Sequence, residues 1–152
     1  MQSIVIGKDL RLIIRGELDS ASLDASKQDI SPGYAIIMAW WLTLPVSAAL
    51  TSLNISGNYL TYKDAIDGDL SGLIELGKAM AASSTLSSIN FAKCLLGPKA
   101  AAEVAKVCAA SAALTSLEIF EAMSVKVFGY LAQSLSLGQF CVMHCKVHMC
   151  RI

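Results

Sequence analysis

The residue types that bind transition metals are concentrated at the end of the chain. The segment CVMHCKVHMC carries three cysteines and two histidines, which are Cys141, His144, Cys145, His148 and Cys150. Thiolate and imidazole are the usual ligands of zinc, but a small zinc site normally takes them from two separated clusters that close a loop around the metal. Because this chain has one cluster only, we predict no metal site and keep zinc binding as an alternative. The same residues alternate as in a closing β-strand in which cysteine serves as a small apolar residue, and an irregular tail is the third possibility.

A second group of chemically capable residues is acidic. Asp64, Asp67 and Asp69 lie in the segment LTYKDAIDGDLSG, the most polar stretch of the chain. An EF-hand calcium loop needs ligands at alternate positions and a distal glutamate, and the spacing here does not provide them. We therefore expect a solvated loop that projects from one edge of the fold.

Catalytic motifs are not evident in the sequence. It contains neither a nucleophile-elbow motif nor a glycine-rich phosphate loop, and both histidines belong to the terminal cluster. A Cys145–histidine dyad would need a third group to orient it, and nothing in the sequence marks one. We predict that the chain is not an enzyme and that it uses no cofactor.

The charge balance and the cysteine content indicate which classes of partner and which cellular compartment to expect. Twelve basic residues balance twelve acidic residues, so no surplus of positive charge is available to hold a nucleic acid backbone. The N-terminus lacks the pattern of a secretory signal, and the five cysteines are an odd number. We expect reduced thiols and an intracellular protein, in the cytoplasm by preference and with organelles left open.

A long uncharged stretch could in principle form a membrane-spanning helix. No charged residue occurs from position 30 to position 62, and a membrane-spanning helix requires about 20 apolar residues. However, Pro45 interrupts the helical run, and Pro32 and Gly33 punctuate its start. We therefore do not favour membrane insertion, although association with a membrane stays open.

The chain repeats itself. SAALTSLNI at positions 47–55 returns as SAALTSLEI at 111–119, with SSTLSSINF at 83–91 as a weaker copy and SASLDASKQDI from position 20 as a fainter one. The copies share the pattern L-x-x-L-x-L-x-x-N/C-x-L. One copy matches it at every position, through Leu50, Leu53, Ile55, Asn58 and Leu60.

This pattern resembles the leucine-rich repeat family, and a unit of about 28 residues is similar to its ribonuclease-inhibitor-like subclass. The resemblance covers roughly residues 20–136. It implies an α/β solenoid in which parallel strands form a curved sheet and helices lie outside it. It also implies a structural ladder in which Gln28, Asn58 and Cys94 hydrogen-bond the backbone of adjacent turns.

The residues support the same architecture without the family. Each L-x-L core alternates apolar and polar side chains, which is the period of a strand, and a helical apolar stripe follows it. SIVI and LRLII flank a GKD turn, which predicts an N-terminal β-hairpin that caps the first repeat. We expect a capping hairpin at residues 1–19, repeats at 20–136 with units starting near 20, 50, 86 and 114, and a divergent C-terminal strand or tail at 137–152.

A curved parallel sheet presents its outward strand residues on the concave face, where the family usually binds other proteins. Aligning the copies predicts the following partner-binding residues on or beside that face: Asp24, Asn54, Asn90, Lys93, Glu118, Phe120 and Glu121. Phe120 is the large aromatic residue of this set and would be an anchor of the kind found at interface hot spots. If the fourth unit is out of register, Phe120 instead points inward.

The sequence therefore predicts a non-catalytic module that binds a protein partner whose identity it does not reveal. One alternative is a small structural subunit embedded in a larger assembly, which the mean hydropathy of +0.56 would suit. Another is a fragment of a longer repeat protein. An imperfect last unit also leaves an open C-terminal sheet edge that invites association.

Overall fold

Two strands at the start of the chain form a sheet of their own. The computed structural model of the chain describes residues 2–61, 65–119 and 144–146, the last of these by strand pairing alone. Strand β1 (Gln2–Ile6) pairs antiparallel with β2 (Leu10–Arg15), and the connecting turn places Gly7 at a φ of 63°. A positive φ is strained for residues with a Cβ atom, which explains the glycine at this turn.

The repeated segments form short parallel strands that pair in chain order. The second sheet has the order β3-β4-β5-β6-β7, and its strands are β3 (Ser22–Asp24), β4 (Ser52–Asn54), β5 (Ser88–Asn90), β6 (Ser116–Glu118) and β7 (His144–Lys146). The predicted α/β class with a parallel sheet is therefore confirmed. Strand β7 lies in the segment for which a closing strand and an irregular tail were both left open.

The pairing register follows the sequence copies. Leu23 pairs with Leu53, Leu53 with Ile89, and Ile89 with Leu117, so equivalent apolar residues lie side by side across four strands. All but Leu23 are buried. A shift by one residue would bring the polar neighbours of these residues into the core, so the apolar pattern determines the register.

A helix follows each of the strands β3, β4 and β5. The helices are α1 (Pro32–Leu42), α2 (Ser71–Ala82) and α3 (Pro98–Ala110), with a 3₁₀ turn at Pro45–Ser47. Pro32 and Pro98 occupy the first turns of α1 and α3, where a missing N–H costs no intrahelical hydrogen bond. Helix α2 packs against α1 on one side and against α3 on the other.

Two glycines allow α2 to approach its neighbours. A Cβ atom built on Gly72 would lie 2.3 Å from the carbonyl oxygen of Pro32, which belongs to the backbone of α1. A Cβ atom built on Gly77 would lie 2.7 Å from Cγ2 of Val107 in α3, which is the end of a side chain. A side chain at Gly72 would therefore disturb the packing more than one at Gly77, because backbone atoms cannot move aside as the end of a side chain can.

One hydrophobic core joins the two sheets and the helices. It contains Leu12 of β2, Trp41 of α1, Leu53 of β4 and Phe91 after β5, each at most 1% exposed. The Trp41 indole N–H donates a 2.7 Å hydrogen bond to the carbonyl oxygen of Ile13, which ties α1 to β2. None of the helices that the structure describes is long and apolar enough to cross a membrane.

Candidate functional site

The outward side chains at the carboxyl ends of four parallel strands form a continuous row. Asp24 pairs in register with Asn54, Asn54 with Asn90, and Asn90 with Glu118. Since neighbouring strands lie about 4.8 Å apart, the row extends for roughly 14 Å. We call these four residues the strand face. Asp24 is exposed, and the other three are half-buried.

Side-chain hydrogen bonds connect the strand face in two pairs. The Asn54 amide nitrogen donates to Oδ1 of Asp24 at 3.1 Å, and the Asn90 amide nitrogen donates to Oε2 of Glu118 at 3.0 Å. The two amides therefore donate in opposite directions. Each carboxylate at the ends of the row accepts a hydrogen bond from the asparagine beside it.

The orientation of both asparagines is determined by the backbone. Oδ1 of Asn54 accepts the N–H of Ser56 at 3.1 Å, and Oδ1 of Asn90 accepts the N–H of Ala92 at 2.8 Å. With each oxygen engaged by a backbone donor, the amide nitrogen must face the adjacent strand. The strand face is consequently organised before any partner is bound, which reduces the entropic cost of binding.

Hydrogen bonds from Ser26 lower the pKa of the Asp24 carboxyl group. The backbone N–H of Ser26 donates to its Oδ1 at 3.0 Å. This bond, followed by the Ser26 hydroxyl and the positive charge of Lys27, holds the pKa of Asp24 below its ordinary value. The first position of the row therefore presents a negative charge at neutral pH.

The turns after β3, β4 and β5 share a backbone conformation with a positive φ. Lys27, Gly57 and Lys93 occupy equivalent positions and have φ values of 55°, 68° and 58°. The N–H of Lys27 donates to the carbonyl of Ser56, and the N–H of Gly57 donates to that of Ala92. Both lysines are exposed.

Asn58 binds the backbone of two neighbouring turns from a fully buried position. Its Oδ1 accepts the N–H groups of Gln28 and Ile30, each at 3.0 Å, and its Nδ2 donates to the carbonyls of Ala25 and Ile55, each at 2.8 Å. One side chain thus satisfies four backbone groups, through three buried hydrogen bonds and one partly buried hydrogen bond.

Cys94 and Gln28 lie at the equivalent positions of the neighbouring copies. The Cys94 thiol donates to the carbonyl oxygen of Ile55 at 3.2 Å, and burial raises its pKa to about 11. Gln28 is half-buried, and its Oε1 accepts the N–H of Asp9 at 3.0 Å in the turn between β1 and β2. Gln28 therefore connects its turn to the N-terminal sheet.

The described residues show neither a metal-ligating cluster nor, at Cys94, a reactive thiol. No group of three or more metal-ligating side chains occurs among them. A thiol with the pKa of Cys94 is protonated at neutral pH, and burial also shields it from substrates. The strand face and the nearby lysines can present oriented amides, carboxylates and ammonium groups to the surface of another molecule.

Several residues singled out in the sequence fall outside the described ranges. Phe120 and Glu121 are among them, as are Asp64 and the side chains of the cysteine and histidine cluster. Their predicted roles remain predictions.

Asp67 has a structural role that the sequence did not indicate. Its Oδ2 accepts the N–H of Lys99 at 2.8 Å, and its Oδ1 accepts the N–H of Ala100 at 3.0 Å, in the first turn of α3. Gly97, the residue before that helix, has no side chain that could accept these N–H groups. The carboxylate of Asp67, from the segment before α2, accepts them instead. Asp67 therefore packs against α3 instead of projecting away from the fold.

Similarity to known proteins does not assign the strand face a function. Neither a protein-family model nor a curated protein sequence matches the chain. The interpretation of the site consequently depends on its own geometry.

Proposed function

We propose that the chain is a short leucine-rich repeat solenoid of the ribonuclease-inhibitor-like subclass. In support, the sequence copies supply strands that pair in parallel and in chain order, each of the first three followed by a helix. The buried Asn58 side chain also bonds the backbone of adjacent turns, as the conserved asparagine of that family does.

The β1–β2 sheet would cap the first repeat of this solenoid. Its turn contacts the first repeat through the N–H of Lys8, which donates to the carbonyl of Gln28 at 2.8 Å. Lys8 also forms a 3.2 Å ion pair with Asp29. These contacts support a cap that covers the apolar end of the stack, which repeat proteins require.

The function that we propose is non-catalytic binding of a protein partner through the strand face. The observation that carries it is the in-register row of Asp24, Asn54, Asn90 and Glu118, whose polar groups are oriented by hydrogen bonds within the row. Such groups pair with a partner's backbone and side chains at little cost in conformational entropy.

A protein suits this surface better than a nucleic acid does. The row ends in two carboxylates, and the chain has no net positive charge to attract a phosphate backbone. Its length of roughly 14 Å corresponds to about four residues of an extended polypeptide at ~3.3 Å each.

Site-directed photo-crosslinking tests the proposal. A photoreactive amino acid at position 54 or 90 is expected to capture the same protein in cells, whereas the same group at Lys106 on the outer side of α3 captures it far less. The captured protein must then bind the purified chain, and Asn54→Arg with Asn90→Arg must weaken that binding at least tenfold without unfolding the chain. Equal capture from both sides, or unchanged binding by the double variant, would contradict the proposal.

A further inference from the structure

The side of α1 that faces away from the sheet is apolar and exposed. Trp40 is 48% exposed and Ile36 is 42% exposed, and Tyr34 and Ile37 are also exposed. The adjacent Trp41 is completely buried. Helix α1 contains no charged residue, so its outer face lacks the polar side chains that usually cover a surface helix.

A groove runs beside this exposed face, between α1 and α2. Ile36, Ala39 and Trp40 of α1 line it from one helix, and the small side chains of Ala79 and Ala82 of α2 line it from the other. The cavity measures about 360 Å³.

The rim of the groove carries two opposite charges. Glu75 and Lys78 of α2 line it and form an ion pair of 2.6 Å, with both side chains largely exposed. The face as a whole therefore has no net charge, and neither has the chain. A second molecule with the same charges would not be repelled.

We propose that this face binds a second copy of the chain in a two-fold symmetric dimer. A two-fold interface uses the same surface on both molecules, so that surface must carry both members of every contact. Here a projecting indole and an apolar groove lie on one face, as do a carboxylate and an ammonium group. In the dimer Trp40 of each copy enters the groove of the other, and Glu75 of each copy approaches Lys78 of the other.

The dimension of the face indicates a weak and reversible dimer. Helices of 11 and 12 residues at 1.5 Å per residue give a face about 17 Å long and, at ~10 Å for each helix, about 20 Å wide. This flat footprint is on the order of half of the ~800 Å² per partner that stable complexes bury. We therefore expect a weak dimer that forms only at high protein concentration.

Sedimentation equilibrium over about 5 to 500 µM tests this proposal. The wild-type chain is expected to shift from monomer to dimer with rising concentration, and Trp40→Ala is expected to raise the dissociation constant at least tenfold. Val5→Ala removes a comparably exposed apolar side chain from β1 and should leave the dissociation constant unchanged.

Charge reversal at the rim provides a second measurement that leaves the apolar side chains of the groove in place. Glu75→Lys should weaken the dimer because it brings two lysines together, and the exchange Glu75→Lys with Lys78→Glu should restore it. The pair Glu103–Lys106 on α3 has the same spacing and distance, so the same exchange there is a matched control that should change nothing.

A wild-type chain that stays monomeric over the whole range would overturn the proposal, as would a dimer that Trp40→Ala leaves intact. Binding of the monomer to phosphatidylcholine vesicles, abolished by Trp40→Ala, would also overturn it and would identify the face as a lipid contact. Loss of the strand-face interaction would not affect these results, because the two surfaces lie on the sheet and on the helices respectively.

Discussion

Asn58 and Ile30 are joined by a 3.0 Å hydrogen bond, although Ile30 lies 28 residues earlier in the chain. The side-chain oxygen of Asn58 accepts the backbone N–H of Ile30. Both residues are completely buried. A buried backbone group without a partner costs about 1–3 kcal/mol, and three of the four backbone hydrogen bonds of Asn58 are buried, so this one side chain contributes strongly to stability.

Replacement of Asn58 should therefore be among the most damaging single changes outside the apolar core. Asn58→Ala leaves the N–H groups of Gln28 and Ile30 without their acceptor, and we expect the free energy of unfolding to fall by about 3 kcal/mol. Urea denaturation followed by circular dichroism measures the change. Asn54→Ala, at a half-buried position of the strand face, is the control and should cost less than about 1 kcal/mol. Equal losses for the two variants would refute the special role of Asn58.

The two glycines of α2 should respond differently to the same substitution. In Gly72→Ala the new methyl group meets the backbone of α1, so the helices must separate, and we expect a loss of about 2–3 kcal/mol. In Gly77→Ala it meets the movable end of Val107, and the gain of about 1 kcal/mol in helix propensity offsets the contact.

Thermal unfolding of the two glycine variants and the wild type measures this difference. We expect Gly77→Ala to melt close to the wild type and Gly72→Ala to melt clearly below it. If the order were reversed, the packing of α2 against its neighbours would differ from the one described above.

The strands and helices could be predicted because their signals are local and repeated. The alternation around Leu53 predicts a strand, and the spacing of Ala101, Val104, Ala105 and Cys108 predicts the helix face of α3 that is in fact buried. Neither inference requires knowledge of a distant residue. Repetition strengthens both, since one pattern occurs several times in the chain.

Contacts between residues far apart in the chain could not be predicted in this way. The acidic segment was expected to be solvated, because three aspartates in a short stretch are polar wherever they lie. The structure places Asp67 at the N-terminus of α3, 32 residues before Lys99 in the sequence. Likewise, the residues of the strand face were predicted from the alignment of the copies, but the direction of their hydrogen bonds was not. Asn54 donates to Asp24 and Asn90 donates to Glu118 because those neighbours carry the carboxylates.

Removal of the Asp67 carboxylate should loosen the start of α3. Asp67 has a φ of 57°, a conformation that glycine adopts readily, so Asp67→Gly removes the acceptor without straining the backbone. We expect a loss of about 1 kcal/mol and faster amide hydrogen exchange at Lys99 and Ala100.

Asp67→Asn provides the comparison for this experiment. Asparagine tolerates a positive φ and retains one acceptor oxygen, so stability and exchange should lie between those of the wild type and Asp67→Gly. Unchanged exchange at both amides in Asp67→Gly would show that this carboxylate does not support the helix in solution.

Cys94 should make the stability of the chain depend on pH in the alkaline range. Burial raises the pKa of its thiol from 9.0 to about 11, so as pH rises the unfolded chain loses this proton first. The contribution of the thiol is therefore complete below pH 9 and is lost as pH rises through about 11, with a magnitude of about 3 kcal/mol. The free energy of unfolding of the wild type should fall more steeply between these values than that of Cys94→Ser, whose hydroxyl does not titrate there.

The same burial should protect Cys94 from alkylation. Iodoacetamide reacts with the thiolate, and at pH 8 a thiol with a pKa of about 11 is almost entirely protonated as well as inaccessible. We expect peptide mapping by mass spectrometry to find Cys94 unmodified in the native chain and modified in concentrated urea. Rapid modification of Cys94 in the native chain would mean that the turn around Ile55 opens readily, and the hydrogen bond from the thiol to its carbonyl oxygen would then contribute little to stability.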